Sequence, residues 1–193
     1  MSPTEWAIPQ QIANQIFAIW GTPTADLLAT FQNRKLPLFV SPIPDLRALA
    51  VDALSMSWRN QFLYAFPPLP LLPLVLRKVS DELTTIILIA PVWPKRSWYP
   101  VILNLLIEHP LELPLREDLL SQGPQLVHPD PGVFNLHAFK LSSNPSLRAD
   151  FLERLPPPLP ALKEPVHWQL MKTNGQNSVI GVINRVLIHS KSL

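Results

Sequence analysis

Two acids and one proline turn are the residues of this chain best placed to do chemistry. Asp26 lies in Ala25-Asp26-Leu27-Leu28-Ala29-Thr30, and Asp52 opens Asp52-Ala53-Leu54. A carboxylate among apolar neighbours needs a partner or a ligand to offset its lost hydration. Asp26 therefore reads either as a ligand carboxylate or as a strand-end residue capping a turn, and Asp52 as a ligand carboxylate or a helix cap. The turn is Phe66-Pro67-Pro68-Leu69, which follows the aromatic and aliphatic run Phe62 to Phe66. Neither proline can donate to a sheet ladder, so a strand must stop there. In an α/β domain the crevice outside the carboxyl end of a strand is where ligands bind, which makes this turn the first candidate site. Prolines that merely end a strand are the plainer alternative.

Other constellations are missing. His109, His128, His137, His167 and His189 do not fall at zinc spacing, and the chain has no cysteine, so no metal site is predicted from them. No glycine-rich phosphate loop and no Gly-x-Ser-x-Gly elbow occurs. Metal-dependent hydrolysis of RNase H type through Asp26 and Asp52 would require further carboxylates converging on two ions.

The elements that must position these residues follow from periodicity. Ile8 to Trp20 reads as an amphipathic helix with Ile12, Ile16, Ile19 and Trp20 on one face, ended by Gly21 and Pro23. Ala25–Thr30 and Phe62–Phe66 read as strands. Leu71, Leu72, Val75, Leu76 and Val79 recur at helical spacing, with Arg77 and Lys78 near the helix C-terminus. Thr84–Ala90 is a continuous β-branched run suited to burial on both faces, as in a parallel sheet covered by helices. Trp93, Trp98 and Tyr99, interleaved with Lys95 and Arg96, read as the rim of a core or as stacking groups for nucleobases. Val101–Glu108 is a helix, Leu111–Leu113 and Val133–Leu141 are further strands, and Asn144–Leu155 is one more helix. Phe31 to Asp52 is proline-punctuated, with a short strand at Leu38–Val40, and reads as a long structured loop, either functional or packed on itself. The expected fold class is therefore α/β: three layers around a mainly parallel sheet over residues 5–141, with Ala25–Thr30, Phe62–Phe66 and Thr84–Ala90 adjacent. Residues 142–193 are expected to form a helix and a Pro-rich, mostly irregular tail, with 156–193 outside the core.

Composition sets outer bounds. Forty-seven per cent hydrophobic residues in 193 supports a globular chain, while 24 prolines against five glycines favour short helices and stiff connections. Residues 1–145 carry ten Lys/Arg against eleven Asp/Glu, and 146–193 carry six against three, so the folded part is near neutral and the tail basic. A duplex-binding domain concentrates bases on one face; only folding could gather Arg34, Lys35, Lys95 and Arg96. No apolar run approaches the roughly 20 residues of a membrane span, and Met1 to Trp6 lacks the pattern of a signal peptide. With no cysteine, the expected location is intracellular, in cytoplasm or nucleus. Oligomeric state is left open.

One series of motifs carries a resemblance. Glu5-Trp6, Trp20-Gly21-Thr22-Pro23, Asp26-Leu27-Leu28-Ala29-Thr30 with Asn33 and Lys35-Leu36-Pro37, Asp52-Ala53-Leu54 with Trp58, Tyr64-Ala65-Phe66-Pro67-Pro68, Leu88-Ile89-Ala90-Pro91-x-Trp93-Pro94 with Trp98, and Asp118-Leu119-Leu120-Ser121 occur in order. Over about residues 4–145 the series resembles the region after the reverse transcriptase and RNase H domains in polyproteins of DIRS-like and related retrotransposons. That region is similar to phage-type Dam adenine-specific DNA methyltransferases. The resemblance implies a methyltransferase (Rossmann-like) sheet, S-adenosylmethionine as cofactor, and DNA or an RNA–DNA intermediate as partner. Asp26, Ala29, Asn33 and Asp52 match the cofactor-binding elements, and Phe66, Pro67, Pro68 and Leu69 occupy the catalytic Asn-Pro-Pro-aromatic motif. Phe66 lacks the amide acceptor and Leu69 lacks the ring of that motif, so the expected function is a catalytically inactive methyltransferase-like module of a transposable element, a pseudoenzyme. An active adenine methyltransferase and an RNase H-type nuclease are the alternatives. The residues after Leu155 do not continue into a recombinase, which implies a fragment of such an element.

Overall fold

The computed structural model describes residues 6–123, 126–158 and 179–193. Its strands are β1 (Ala25–Leu27), β2 (Val40–Ser41), β3 (Ala50–Val51), β4 (Phe62–Ala65), β5 (Thr85–Pro91), β6 (Leu111–Glu112), β7 (Ser121–Gln122), β8 (Leu126–Val127), β9 (Leu136–Ser142), β10 (Val179–Ile183), β11 (Val186–His189) and β12 (Lys191–Ser192). The helices are α1 (Gln10–Trp20), α2 (Leu72–Asp81), α3 (Tyr99–Leu105) and α4 (Pro145–Glu153).

The main sheet has the order β1-β4-β5-β9-β6-β12. β1, β4 and β5 pair in parallel, as expected, in the registers Asp26↔Tyr64 and Tyr64↔Ile87. β9 runs antiparallel to both β5 and β6, and β12 runs parallel to β6, so the sheet is mixed. Strand alternation divides the core in two. Tyr64, Ile87 and Ile89 face α1, which buries Ile12, Ala13, Ile16 and Phe17. Leu63, Ala65, Ile86, Leu88, Phe139 and Leu141 face α2, α3 and α4. The uninterrupted burial of Ile86 to Val92 is the reason that run reads as β-branched without alternation.

Local chemistry sets the ends. Gly21 adopts a φ of 93°, which a side chain would strain, and its N–H bonds the Phe17 carbonyl to close α1. Ile19, expected on the inner face of α1, is 56% exposed; the buried stripe lies one step round the helix. β1 stops at Leu27 rather than Thr30 because Leu28 takes a left-handed φ of 58°. Asn144 accepts from Ser146 N to start α4. The Phe31–Asp52 segment is packed on itself: the Phe31 ring lies 3.8 Å from the guanidinium carbons of both Arg34 and Arg47, and β2 pairs with β3 in parallel.

Residues 179–193 depart from expectation. β10 and β11 form a hairpin that buries Ile180, Ile183 and Ile188 on the α3 side of the sheet, where the Tyr99 hydroxyl donates to Ile180 O at 2.8 Å. β12 completes the edge beside β6. The short apolar stretches there find partners only through long-range docking, which local periodicity does not report. The rest of the expected tail, residues 159–178, lies outside the described residues.

If this hairpin is part of the core, Ile188→Ala should lower unfolding free energy by about 2–5 kcal/mol, whereas Leu126→Ala at an exposed position should change it by less than about 0.5 kcal/mol. Chemical denaturation of the two variants checks this; equal, small effects would detach the hairpin from the core.

Candidate functional site

Parallel pairing of β1, β4 and β5 brings their carboxyl ends to one side of the sheet, and β9, being antiparallel, begins there. A cavity of about 240 Å³ opens at that end. The turn after β4 supplies Phe66, Pro67, Pro68, Leu69 and Pro70; the residue after β1 supplies Leu28, the end of β5 Ile89 and Pro91, and the approach to β9 Phe134 and Leu136. Trp6 and Leu120 line it too, and Asn33 supplies a side-chain amide to its wall. Among the described residues the walls are therefore mainly rings and aliphatic groups, with no ionisable side chain. Rings continue around the rim: Trp93 stacks on Phe134 at 6.0 Å, His128 meets Phe134 edge-on at 5.0 Å, and Trp6 meets His128 at 5.0 Å.

A smaller pocket of about 20 Å³ shares Trp6, Leu28, Asn33 and Phe66 with the cavity and adds Asp26, Ala29, Lys35 and Tyr64 to its lining. Asp26 is 3% exposed, and its Oδ2 accepts from Lys35 N at 2.6 Å. Burial pushes its carboxyl up to about 7, against the smaller opposing pull of that hydrogen bond and of the Lys35 charge. Burial also lowers the Lys35 ammonium, so both groups lean toward neutrality. Tyr64, side by side with Asp26 in register, is fully buried and its hydroxyl has no hydrogen-bond partner; burial first, then the Asp26 charge, raises it well above the ordinary phenol range. Phe17 packs edge-on against the Tyr64 ring at 5.4 Å.

The structure thus brings together Phe66, Pro67, Pro68, Leu69, Asn33, Asp26 and Ala29 of the residues marked in sequence. It does not bring Asp52. That residue sits in an exposed turn at a φ of 60°, where its Oδ1 accepts from Leu54 N at 3.1 Å, the capping alternative raised by the sequence. Tyr64 was missed although a polar tip in a buried strand is a signal in itself. Phe134 and Leu136 were missed because nothing local shows that β9 starts beside the β4 turn. Among the described residues no three His, Cys, Asp or Glu side chains gather as a metal site, and no helix is long and apolar enough to cross a membrane.

S-adenosylmethionine, which the sequence resemblance implies, carries an ammonium, a carboxylate and a sulfonium. The donor set at the cavity does not fit it: among the described residues the walls hold no charge, Asp26 is buried and inclined to keep its proton, and Asp52 caps an exposed turn outside the cavity's lining. In comparisons with family models, curated proteins and solved structures, nothing matches the chain.

Asp26 and His137 should leave opposite marks on stability. Folded Asp26 holds its proton to about pH 7, whereas unfolded Asp loses it near pH 4, so between these values stability falls as pH rises. His137 is 1% exposed, its Nε2 has no partner, and burial lowers it to about 4. Unfolded His gains its proton below about 6.5, so from pH 4 to 6.5 stability rises with pH. Each slope is about 1.4 kcal/mol per pH unit and they largely cancel. Asp26→Asn should unmask a rise from pH 4 to 6.5, and His137→Gln a fall. Denaturation midpoints across that range check this; parallel profiles for the two variants would contradict the assignment.

Proposed function

We propose that this α/β domain is a retrotransposon-derived, catalytically inactive relative of phage-type adenine methyltransferases, a non-catalytic module of a reverse transcriptase/RNase H polyprotein that handles nucleic acid. The observation that carries this reading is the Phe66-Pro67-Pro68-Leu69 turn. It lines the cavity of about 240 Å³ at the carboxyl end of β4, in a mixed, largely parallel α/β sheet, yet neither end of the turn holds the group that the matching motif requires. In that motif a side-chain amide and the first proline's carbonyl accept from the adenine amine while an aromatic ring stacks on the flipped base. Phe66 offers no acceptor and Leu69 no ring. Removing one such polar contact costs on the order of 3 kcal/mol in the transition state, about a hundredfold in rate, and losing the stack removes roughly 1–3 kcal/mol more.

A role with nucleic acid draws support from the loops flanking the turn. Arg34 and Lys35 follow β1, and Lys95 and Arg96 follow β5, so the two strands that neighbour β4 carry these bases toward the cavity end. Trp93 and Phe134 lie beside them, with Arg96 5.3 Å over the Trp93 ring. The nuclease alternative has no comparable support, since Asp26 is buried, Asp52 lies in an exposed turn, and among the described residues no three acid or histidine side chains gather as a metal site.

Incubation of the purified chain with labelled S-adenosylmethionine and single- or double-stranded DNA should give no labelled adenine. Incorporation of label that Pro67→Ala abolishes would replace this reading with that of a working adenine methyltransferase.

A further inference from the structure

We propose that Lys140 is a carbonyl-capturing lysine: its side-chain amine forms an imine with a neutral or cationic aromatic aldehyde seated in a groove at the end of the sheet opposite the Phe66–Leu69 turn. This site is separate from the cavity described above, and the methyltransferase likeness has no part in it.

Strand direction places the groove. Phe62 and Thr85 open β4 and β5, and Lys140 lies near the end of the antiparallel β9, so all three line the sheet where its parallel strands begin. Trp20 at the end of α1, with Ile107 and Leu147, completes an apolar wall. The groove encloses about 940 Å³, within the roughly 300–1,000 Å³ of ligand pockets, and its rings suit an aromatic body.

Lys140 is the reactive group of that wall. Its half-buried Nζ donates to Trp20 O at 3.1 Å and lies 5.4 Å from the centre of the Phe62 ring. An ammonium has three N–H donors, and among the described residues no carboxylate pairs with this one. Lys78, by contrast, is paired with Glu82, and Arg154, the other cation in the groove wall, with Glu108. Burial lowers the Lys140 ammonium, against the smaller opposing pull of the Glu108 charge, so the amine gives up its proton more readily than a solvated one. Burial lowers Lys35 too, but that residue lines the pocket of about 20 Å³, which has no room for a ring.

The chemistry balances without a redox partner. The free amine's lone pair attacks the carbonyl carbon, the C=O π pair moves to oxygen, a proton passes from nitrogen to that oxygen, and loss of water leaves the C=N bond. Charge selects the aldehyde. Glu108 faces the groove from the loop after α3, and Asp150, Glu153 and Arg154 from α4, whereas α1, β4 and β5 present only Trp20, Phe62 and Thr85. Once Lys140 is neutral, three acids stand against one guanidinium, which disfavours an anionic ring.

The test treats the full chain at neutral pH with benzaldehyde, para-formylbenzoate or para-trimethylammonio-benzaldehyde, traps imines with cyanoborohydride and maps them by mass spectrometry. Label should enter Lys140 about tenfold faster than the exposed Lys95. Its rate should saturate with aldehyde concentration, while that of Lys95 rises linearly. The neutral and cationic aldehydes should outpace the carboxylate about threefold or more. As pH is raised, labelling of Lys140 should reach half its maximum below about 10.4, the value of a solvated lysine. Lys140→Arg, which keeps a donor for Trp20 O, should lose this label, and Leu147→Trp, which narrows the groove, should slow it several-fold, with melting temperatures unchanged. The rate comparison needs only the wild-type chain, so it decides even where a variant fails to fold. Equal rates at Lys140 and Lys95, a linear concentration dependence at Lys140, or faster labelling by the carboxylate aldehyde would each overturn the proposal.

Discussion

The parallel register of β1 on β4, with Ala25 opposite Leu63, Asp26 opposite Tyr64 and Leu27 opposite Ala65, is the constraint from which the rest of the site follows. It places an acid and a phenol next to each other on the face that α1 covers, where Phe17 seals the Tyr64 ring. It also fixes where the chain leaves both strands, so that Leu28 and the Phe66–Leu69 turn meet across one cavity. A one-residue slip of β1 would turn Asp26 to the opposite face and bury Ala25 or Leu27 against α1 instead.

Electrostatics then set the character of the site. An acid placed in a low-dielectric layer either finds a cation or keeps its proton. Lys35 supplies a main-chain N–H to Asp26, yet burial outweighs both this bond and the Lys35 charge. His137 shows the same rule with the opposite sign, staying neutral in the layer on the other side of the sheet, where it stacks on Phe139. The bases at this end stay outside the cavity, packed on rings: Arg34 on Phe31 and Arg96 on Trp93. A neutral interior ringed by aromatics and approached past scattered cations suits a ligand whose charge, if any, remains outside.

Much of this was legible in the sequence where local and global preferences agree. Thr85–Pro91 announces itself through an unbroken apolar run rich in β-branched residues, and α2 through its helical period after a proline stop, so the β1-β4-β5 order could be anticipated. The Phe66–Leu69 turn was identifiable as a cavity wall because prolines dictate where a strand must end. What stayed hidden depends on distance in sequence. Leu28 shortens β1 through a backbone conformation that leucine rarely adopts. β9 contributes Leu136 to the cavity only because it enters the sheet reversed, and the β10–β11 hairpin joins the core only by docking on α3. Asp26 and Asp52 looked equivalent as isolated acids; pairing with Tyr64 buries the first, and a short turn leaves the second in water.

Site-resolved titration of the Asp26 carboxyl carbon by NMR tests most directly whether the site is an uncharged, water-excluded layer. A midpoint close to pH 7 is expected, with the Tyr64 ring resonances shifting in step as the neighbouring carboxyl ionises. A midpoint near 4, the value of a solvated aspartate, would mean that Asp26 is charged and hydrated at neutral pH, and would contradict the account of the cavity and the smaller pocket that shares its walls.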